Sequence, residues 1–189
     1  MKKLLKHLVV LSLFLPAISQ ADETRLLRQP SISENQVAFV YGGDIWLSNL
    51  KGQQVRRITS TAAVESNPHF SPNGKTIAFT SNRSGNTSVY TVSNQGGDVK
   101  RLTWHANSAY ARGWTPDGKS VLYASSRQTA PINYFGMNRL WTVSSKGGPS
   151  KLISKQWAFN GAYSENGKKL VIDRMSRWDV EWRNYRGGN

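Results

Sequence analysis

The sequence predicts an all-β fold, a partial β-propeller of four-stranded antiparallel blades, about 3.5 of them, preceded by a signal peptide. Three observations carry this reading. One turn motif recurs three times at spacings in the forties. Short runs of β-branched and aromatic residues alternate with Gly-containing turns. Helix-type heptads are absent.

The first element is an address. Lys2, Lys3 and Lys6 make a basic start, Leu8 to Leu15 is apolar, and Pro16 ends the run. Ser19 and Ala21 occupy the small-residue positions before a cleavage point, which predicts a signal peptide over residues 1–21, cut before Asp22. The apolar run is shorter than the ~20 residues a spanning helix needs, so no stable membrane insertion is expected after cleavage. The expected location is periplasmic or secreted. Of 189 residues with net charge +14, cleavage removes 21 residues and three lysines, leaving 168 residues and +11.

The repeat follows. Its units are Asn67-Pro68-His69-Phe70-Ser71-Pro72-Asn73-Gly74-Lys75-Thr76-Ile77-Ala78-Phe79, then Gly113-Trp114-Thr115-Pro116-Asp117-Gly118-Lys119-Ser120-Val121-Leu122-Tyr123, then Gly161-Ala162-Tyr163-Ser164-Glu165-Asn166-Gly167-Lys168-Lys169-Leu170-Val171-Ile172. Gly74, Gly118 and Gly167 are spaced by 44 and 49 residues. An earlier unit lacks the Asn-Gly turn but keeps the strand Val37 to Tyr41. A period of this size with short strands indicates propeller blades. The predicted units are about 30–60, 67–104, 111–154 and 159–189 within an incomplete propeller over 22–189.

Within each unit an aromatic residue (Phe70, Trp114, Tyr163) closes the inner strand. Asn-Gly or Asp-Gly makes a hairpin, since these residues tolerate positive φ. The third strands are Asp44 to Leu47, Ser88 to Val92 and Arg139 to Val143. Gly turns at Gly52, Gly96-Gly97 and Gly147-Gly148 lead to outer strands Arg56 to Thr59, Lys100 to Thr103 and Lys151 to Ser154. Runs such as Val121-Leu122-Tyr123-Ala124 are apolar on both faces, as a blade between two others requires. Arg56, Arg57, Lys100, Arg101 and Lys151 fall on outer strands, where charge discourages edge-to-edge pairing. The fourth unit has no readable third or fourth strand after Ile172. Propellers close with 4–8 blades. The chain therefore reads as the N-terminal part of a longer protein, with an apolar blade face left uncovered.

Chemical motifs are few. With no cysteine, disulfides, thiolate metal sites and Cys nucleophiles are excluded. Gly113 to Ser120 fits the phosphate-loop pattern letter for letter. That loop must open a helix, whereas Lys119 runs into Val121-Leu122-Tyr123, and the sister turns carry His69 and Ala162 in place of Gly113. It reads as a hairpin. H-E-x-x-H and G-x-S-x-G are absent. His69 lies inside the repeat and reads as a blade residue; His105 lies in a connection and is the better functional candidate. Nothing selects a Ser-His-Asp triad. The basic residues are dispersed in runs of no more than two, which argues against nucleic acid. Arg174 to Arg186, with Trp178, Trp182 and Tyr185, reads as an unfinished blade rather than a basic-aromatic patch. The insertion Gln128 to Asn138, with Pro131, Ile132, Tyr134 and Phe135, is a candidate partner contact. No catalytic, cofactor-binding or metal residue and no cofactor are expected.

The repeats resemble the bacterial propeller repeat of TolB, tricorn proteases and propeller-bearing prolyl peptidases, best in Phe70 to Asn86. Leu26-Leu27-Arg28-Gln29-Pro30-Ser31-Ile32-Ser33 running into Val37 to Trp46 looks like the start of tricorn-type proteases, and Tyr185-Arg186-Gly187-Gly188 looks like a later tricorn segment. A TolB-like chain would place a small α/β domain first, and Asp22 to Val37 leaves no room for it. The resemblance implies a large serine peptidase whose propellers guide or gate peptides toward a catalytic region much later in the chain. That region has no counterpart in this sequence, so this chain alone is expected to be inactive. The implied partners are peptides or other protein segments and the remainder of a longer chain. The alternative is a non-catalytic TolB-like protein-binding propeller of the cell envelope.

Overall fold

The computed structural model describes residues 26–127 and 138–174. The predicted signal peptide, residues 128–137 of the insertion and residues 175–189 lie outside them. Among the described residues every regular element is a strand. The first sheet is β1 (Arg28–Ile32), β2 (Gln36–Tyr41), β3 (Asp44–Asn49) and β4 (Arg56–Arg57). The second is β5 (Glu65–Phe70), β6 (Thr76–Ser84), β7 (Asn86–Ser93) and β8 (Lys100–Arg101). The third is β9 (Ala109–Trp114), β10 (Ser120–Ser125), β11 (Arg139–Ser144) and β12 (Lys151–Trp157). A hairpin, β13 (Asn160–Tyr163) and β14 (Leu170–Asp173), completes the series. Each sheet is an antiparallel meander in chain order. The first strands of successive sheets contact one another, so they lie nearest the axis of the fan.

The inner hairpins form for a reason the sequence only half disclosed. Gly74, Gly118 and Gly167 have φ of 66°, 67° and 70°, but Asn73, Asp117 and Asn166 are not in the left-handed region. Their side chains act instead as acceptors. Asn73 Oδ1 takes the Lys75 amide at 3.1 Å and the Ser71 hydroxyl at 2.7 Å. The Ser71 hydroxyl oxygen in turn accepts the Thr76 amide at 3.0 Å. Thr115 with Asp117, and Ser164 with Asn166, repeat the arrangement. A turn with Asn or Asp before a left-handed glycine, and Ser or Thr at its start, satisfies its own polar groups.

Strand alternation then sorts each sheet into two buried faces. Ala38, Val40, Ile45 and Leu47 of the first blade pack on Ile77, Phe79, Tyr90 and Val92 of the second. The opposite face of the second blade gives Ala78 and Val89, which pack with Leu102 on Val121, Tyr123, Trp141 and Val143 of the third. Leu122, Ala124, Leu140 and Ala158 meet Tyr163, Leu170 and Ile172 of the last hairpin. Each fully buried aliphatic or Phe side chain stabilises this stack by about 1.5–3 kcal/mol. The first blade's other face carries Phe39, Tyr41, Trp46 and Val55, which with Leu27 line a groove of about 260 Å³.

The outer strands revise the edge-protection reading. β4 and β8 are two residues long, so their edges are blunted by shortness. Their cations are engaged rather than free. Arg56 donates to the Asn94 carbonyl of the next blade's turn, and Lys100 Nζ donates to the Lys146 carbonyl at 2.7 Å. These are blade-to-blade clasps at the rim.

Candidate functional site

The blades have two ends. One carries the Asn-Gly turns. The other carries the middle hairpins and the links between blades, and there a set of side chains recurs with an offset of 44 residues. Thr59 and Thr103 each accept a third-strand amide, from Ile45 and Val89, both at 2.9 Å. Arg57 and Arg101 curl back so that Nε donates to the carbonyls of Thr59 (2.9 Å) and Thr103 (2.7 Å). The remaining donors differ. Arg57 Nη2 reaches the Asp44 carboxylate at 2.6 Å, whereas Arg101 Nη2 reaches only the Ser88 hydroxyl at 3.0 Å.

A second arginine pair repeats in the same way. The Ser81 and Ser125 hydroxyls accept the amides of Arg83 and Arg127, each at 3.2 Å, and this turns both side chains back over the sheet. Arg83 lies over Phe79 and Tyr90, 5.4 and 5.2 Å from the ring centres. Arg127 lies 4.8 Å over Trp141 and donates Nη1 to the Tyr123 hydroxyl at 3.2 Å. Arg83 forms an ion pair with Glu65, which is fully buried between the blades. In the third blade the residue in the place of Glu65 is Ala109.

His105 joins this cluster. Its ring stacks on Tyr123 at 6.2 Å, and both ring nitrogens are shielded from water without a hydrogen-bond partner. Burial lowers its pKa first and the Arg127 charge lowers it further. The approach of the Asn107 backbone pulls the other way, and Arg101 adds a last lowering push. Arg101 also lies 4.5 Å over Trp104, which is 75% exposed. The link between the second and third blades thus gathers two guanidiniums, an imidazole and three aromatic rings.

The axis side shows another device. Gln29 and Asn67 have φ of 54° and 50°, and each precedes a proline inside a strand. Both mark β-bulges, where the pairing of β1 with β2 and of β5 with β6 slips. The two amides brace each other, with the Asn67 backbone donating to Gln29 Oε1 at 2.8 Å. Such backbone costs roughly 1–3 kcal/mol unless its surroundings hold it. The third blade slips at Arg112, whose Nε donates to the Phe159 carbonyl at 2.7 Å. Pro30 and Pro68 were the sequence signal for these bulges, since proline interrupts a ladder.

The earlier candidates fall as follows. Gly113 to Ser120 joins two strands as a hairpin and faces no helix. His69 sits half-buried on β5, and its carbonyl accepts Trp114 Nε1 at 2.9 Å. Its pKa is lowered to about 4, first by burial and then by Arg112, against a raising hydrogen bond with the Ala111 backbone. His105 stands in the cationic cluster. Pro131, Ile132, Tyr134 and Phe135 lie outside the described residues, as does the patch beyond Arg174. No cluster of three metal-ligating side chains occurs among the described residues.

Comparison with known proteins agrees with this architecture. The chain is 29% identical over 175 residues to tricorn protease homolog 1 of Streptomyces coelicolor, a match covering 90% of this chain and 16% of the relative. It is 27% identical over 164 residues to a protein of Sulfurisphaera tokodaii named as a tricorn-like protease N-terminal subunit, covering 84% of this chain and 80% of that one. The fold matches a TolB structure from Agrobacterium tumefaciens with TM-score 0.68 at 20% identity, over 79% of this chain and 54% of that one. The chain thus spans about one sixth of the length of the full tricorn relative. Residues 24–189 match the profile of the tricorn protease N-terminal β-propeller domain, and the chain belongs to that family.

Proposed function

We propose that this chain is the N-terminal propeller segment of an exported tricorn-like serine peptidase, that it guides or gates peptide substrates, and that it contributes no catalysis itself. The observation that carries this reading is the family match over nearly the whole chain after the predicted cleavage point. The groove that the described residues leave open on the first blade supports it, because a propeller face lined by Phe39, Tyr41 and Trp46 suits a further protein layer. The basic start, apolar run and Ser19-x-Ala21 support export. The partners proposed are the remaining protease segments and the peptides that pass them.

The test is the native product in fractionated cells, detected by an antibody to residues 61–125. A periplasmic band several times heavier than the chain, beginning at Asp22 and copurifying with peptidase activity, is the expected result. The isolated chain is expected to hydrolyse no peptide; hydrolysis by it would overturn the reading. The TolB-like fold supports a second reading, a non-catalytic envelope-binding propeller. A band at the mature mass, bound to an envelope protein, would favour that one.

A further inference from the structure

We infer that the two ends of the described fan are the two halves of one joint, and that a second copy of this chain completes it. The open face of the first blade in one copy seats on the open face of the last hairpin in the other. The joints inside the chain set the pattern. Each full blade turns a cross-strand pair of aromatic rings toward the blade before it and aliphatic residues toward the blade after it. Phe79 and Tyr90 of the second blade pack on Ala38, Val40 and Ile45 of the first. Tyr123 and Trp141 of the third pack on Ala78 and Val89 of the second. At the front of the fan the same pair is Phe39 with Trp46, and Val55 stands where Val99 packs at the first internal joint. Among the described residues no blade covers this face.

The back carries the complement. Counted from the turn glycine, Val171 stands where Ala78 and Leu122 stand, and Asp173 where Thr80 and Ala124 stand. Leu170 and Ile172 face the third blade, while Val171, on the other side of the hairpin and paired with Ala162, is 72% exposed. The polar contacts agree. At the second joint Thr80 Oγ1 accepts the Ala111 amide at 2.9 Å, and at the first Gln29 Oε1 accepts the Asn67 amide at 2.8 Å. Asn67 and Ala111 hold one position in the strand register, and in the first blade that position is Gln29. Between copies the Gln29 amide therefore donates to Asp173, the acceptor in the place of Thr80. Asp173 Oδ2 also takes the Asn160 side-chain amide at 3.3 Å, and a carboxylate accepts several donors at once. Arg28, exposed beside Gln29, then meets an acid, whereas the residues lining the front face include none. Front-to-front pairing would press two aromatic faces of like charge together; front-to-back pairing matches rings to aliphatics and cation to anion. The contact is heterologous, since each copy gives one face and takes the other. The inference stands on these two faces and not on the proposed function, and it holds for the chain of 189 residues.

The test uses this chain in two blocked forms. Tyr41→Lys with Val55→Lys closes the front and leaves the back; Val171→Lys closes the back and leaves the front. All three side chains are exposed, so the fold is expected to survive, with circular dichroism as the check. In sedimentation velocity the unaltered chain is expected to associate, each blocked form alone to stay monomeric, and their equimolar mixture to give a 1:1 pair that grows no further. Asp173→Ala is expected to weaken pairing about tenfold. Cross-linking reads the same joint without blocking it. The chain has no cysteine, so Val55→Cys in one copy and Val171→Cys in another are expected to be joined by a thiol reagent spanning the ~10 Å between packed sheets. An unaltered chain that stays monomeric, or a mixture of blocked forms that does, would overturn the joint. So would association of the Val171→Lys form alone, or cross-linking of Val55→Cys to itself in preference to Val171→Cys, since either outcome means front-to-front pairing.

Discussion

At the residue scale, the ion pair of Glu65 and Arg83 is the most consequential contact among the described residues. Glu65 is fully buried, and one of its oxygens, Oε2, has no partner. Removing one member of a buried pair strands the other. Glu65→Ala is expected to lower stability by about 3–5 kcal/mol in urea unfolding, and Glu65→Ala with Arg83→Met to recover much of it. His69 gives a pH-dependent contribution of definite sign. Below about pH 6.5 the unfolded chain protonates His69, while the folded chain resists until about pH 4. The folded state therefore loses stability as pH falls through that window. His69→Gln should flatten this part of a stability-against-pH curve measured from pH 7 to pH 4. None of these contacts was legible beforehand. Glu65 and Arg83 lie 18 residues apart in the chain, and only the fold shows that they meet.

At the element scale, the hairpins were the most readable part, because an Asn or Asp followed by a Gly, preceded by Pro in two of the three, fixes a turn without help from distant residues. Gly118 is expected to tolerate alanine poorly, with a cost of about 1–2 kcal/mol in thermal unfolding from its left-handed backbone. Gly161 is intolerant for a different reason. Its φ is ordinary, but an added Cβ would lie 2.5 Å from Leu140 Cδ1, and Leu140 is fully buried. Gly161→Ala should cost about 1–3 kcal/mol and loosen the last hairpin from the third blade, visible as faster amide exchange in β13. The bulges are signalled in the sequence by Pro30 and Pro68, but the repeat pattern gives these two prolines no role of their own, and only the register shows where the pairing slips. The outer-strand cations were placed on the right elements and given only part of their role. A charge at an edge looks the same in sequence whether it repels a stranger or grips a neighbour.

For the whole molecule, the alternation of faces makes each blade depend on the next, and the described residues leave the first blade's outer face without such a neighbour. Tyr41 is 46% and Val55 47% exposed there. The isolated chain should self-associate through this groove, and Tyr41→Lys with Val55→Lys should shift its sedimentation toward monomer. The architecture was legible because a repeat states its pattern several times over. The cationic cluster between the second and third blades was not, because it arises from departures from the pattern: Asp44 becoming Ser88 and Glu65 becoming Ala109 look like drift until the geometry shows which charges they leave behind.

The rim clasps tie the blades as links rather than as one block. Arg56 donates to the Asn94 carbonyl and Lys100 to that of Lys146, while Asn94 Nδ2 answers with a bond to Gln36 Oε1 at 3.1 Å. A clasp is lost whichever of its two blades departs, so the second blade, tied to both neighbours, is held from two sides at its outer edge and the blades beside it from one. Fraying should therefore begin at the ends of the series and reach the second blade last.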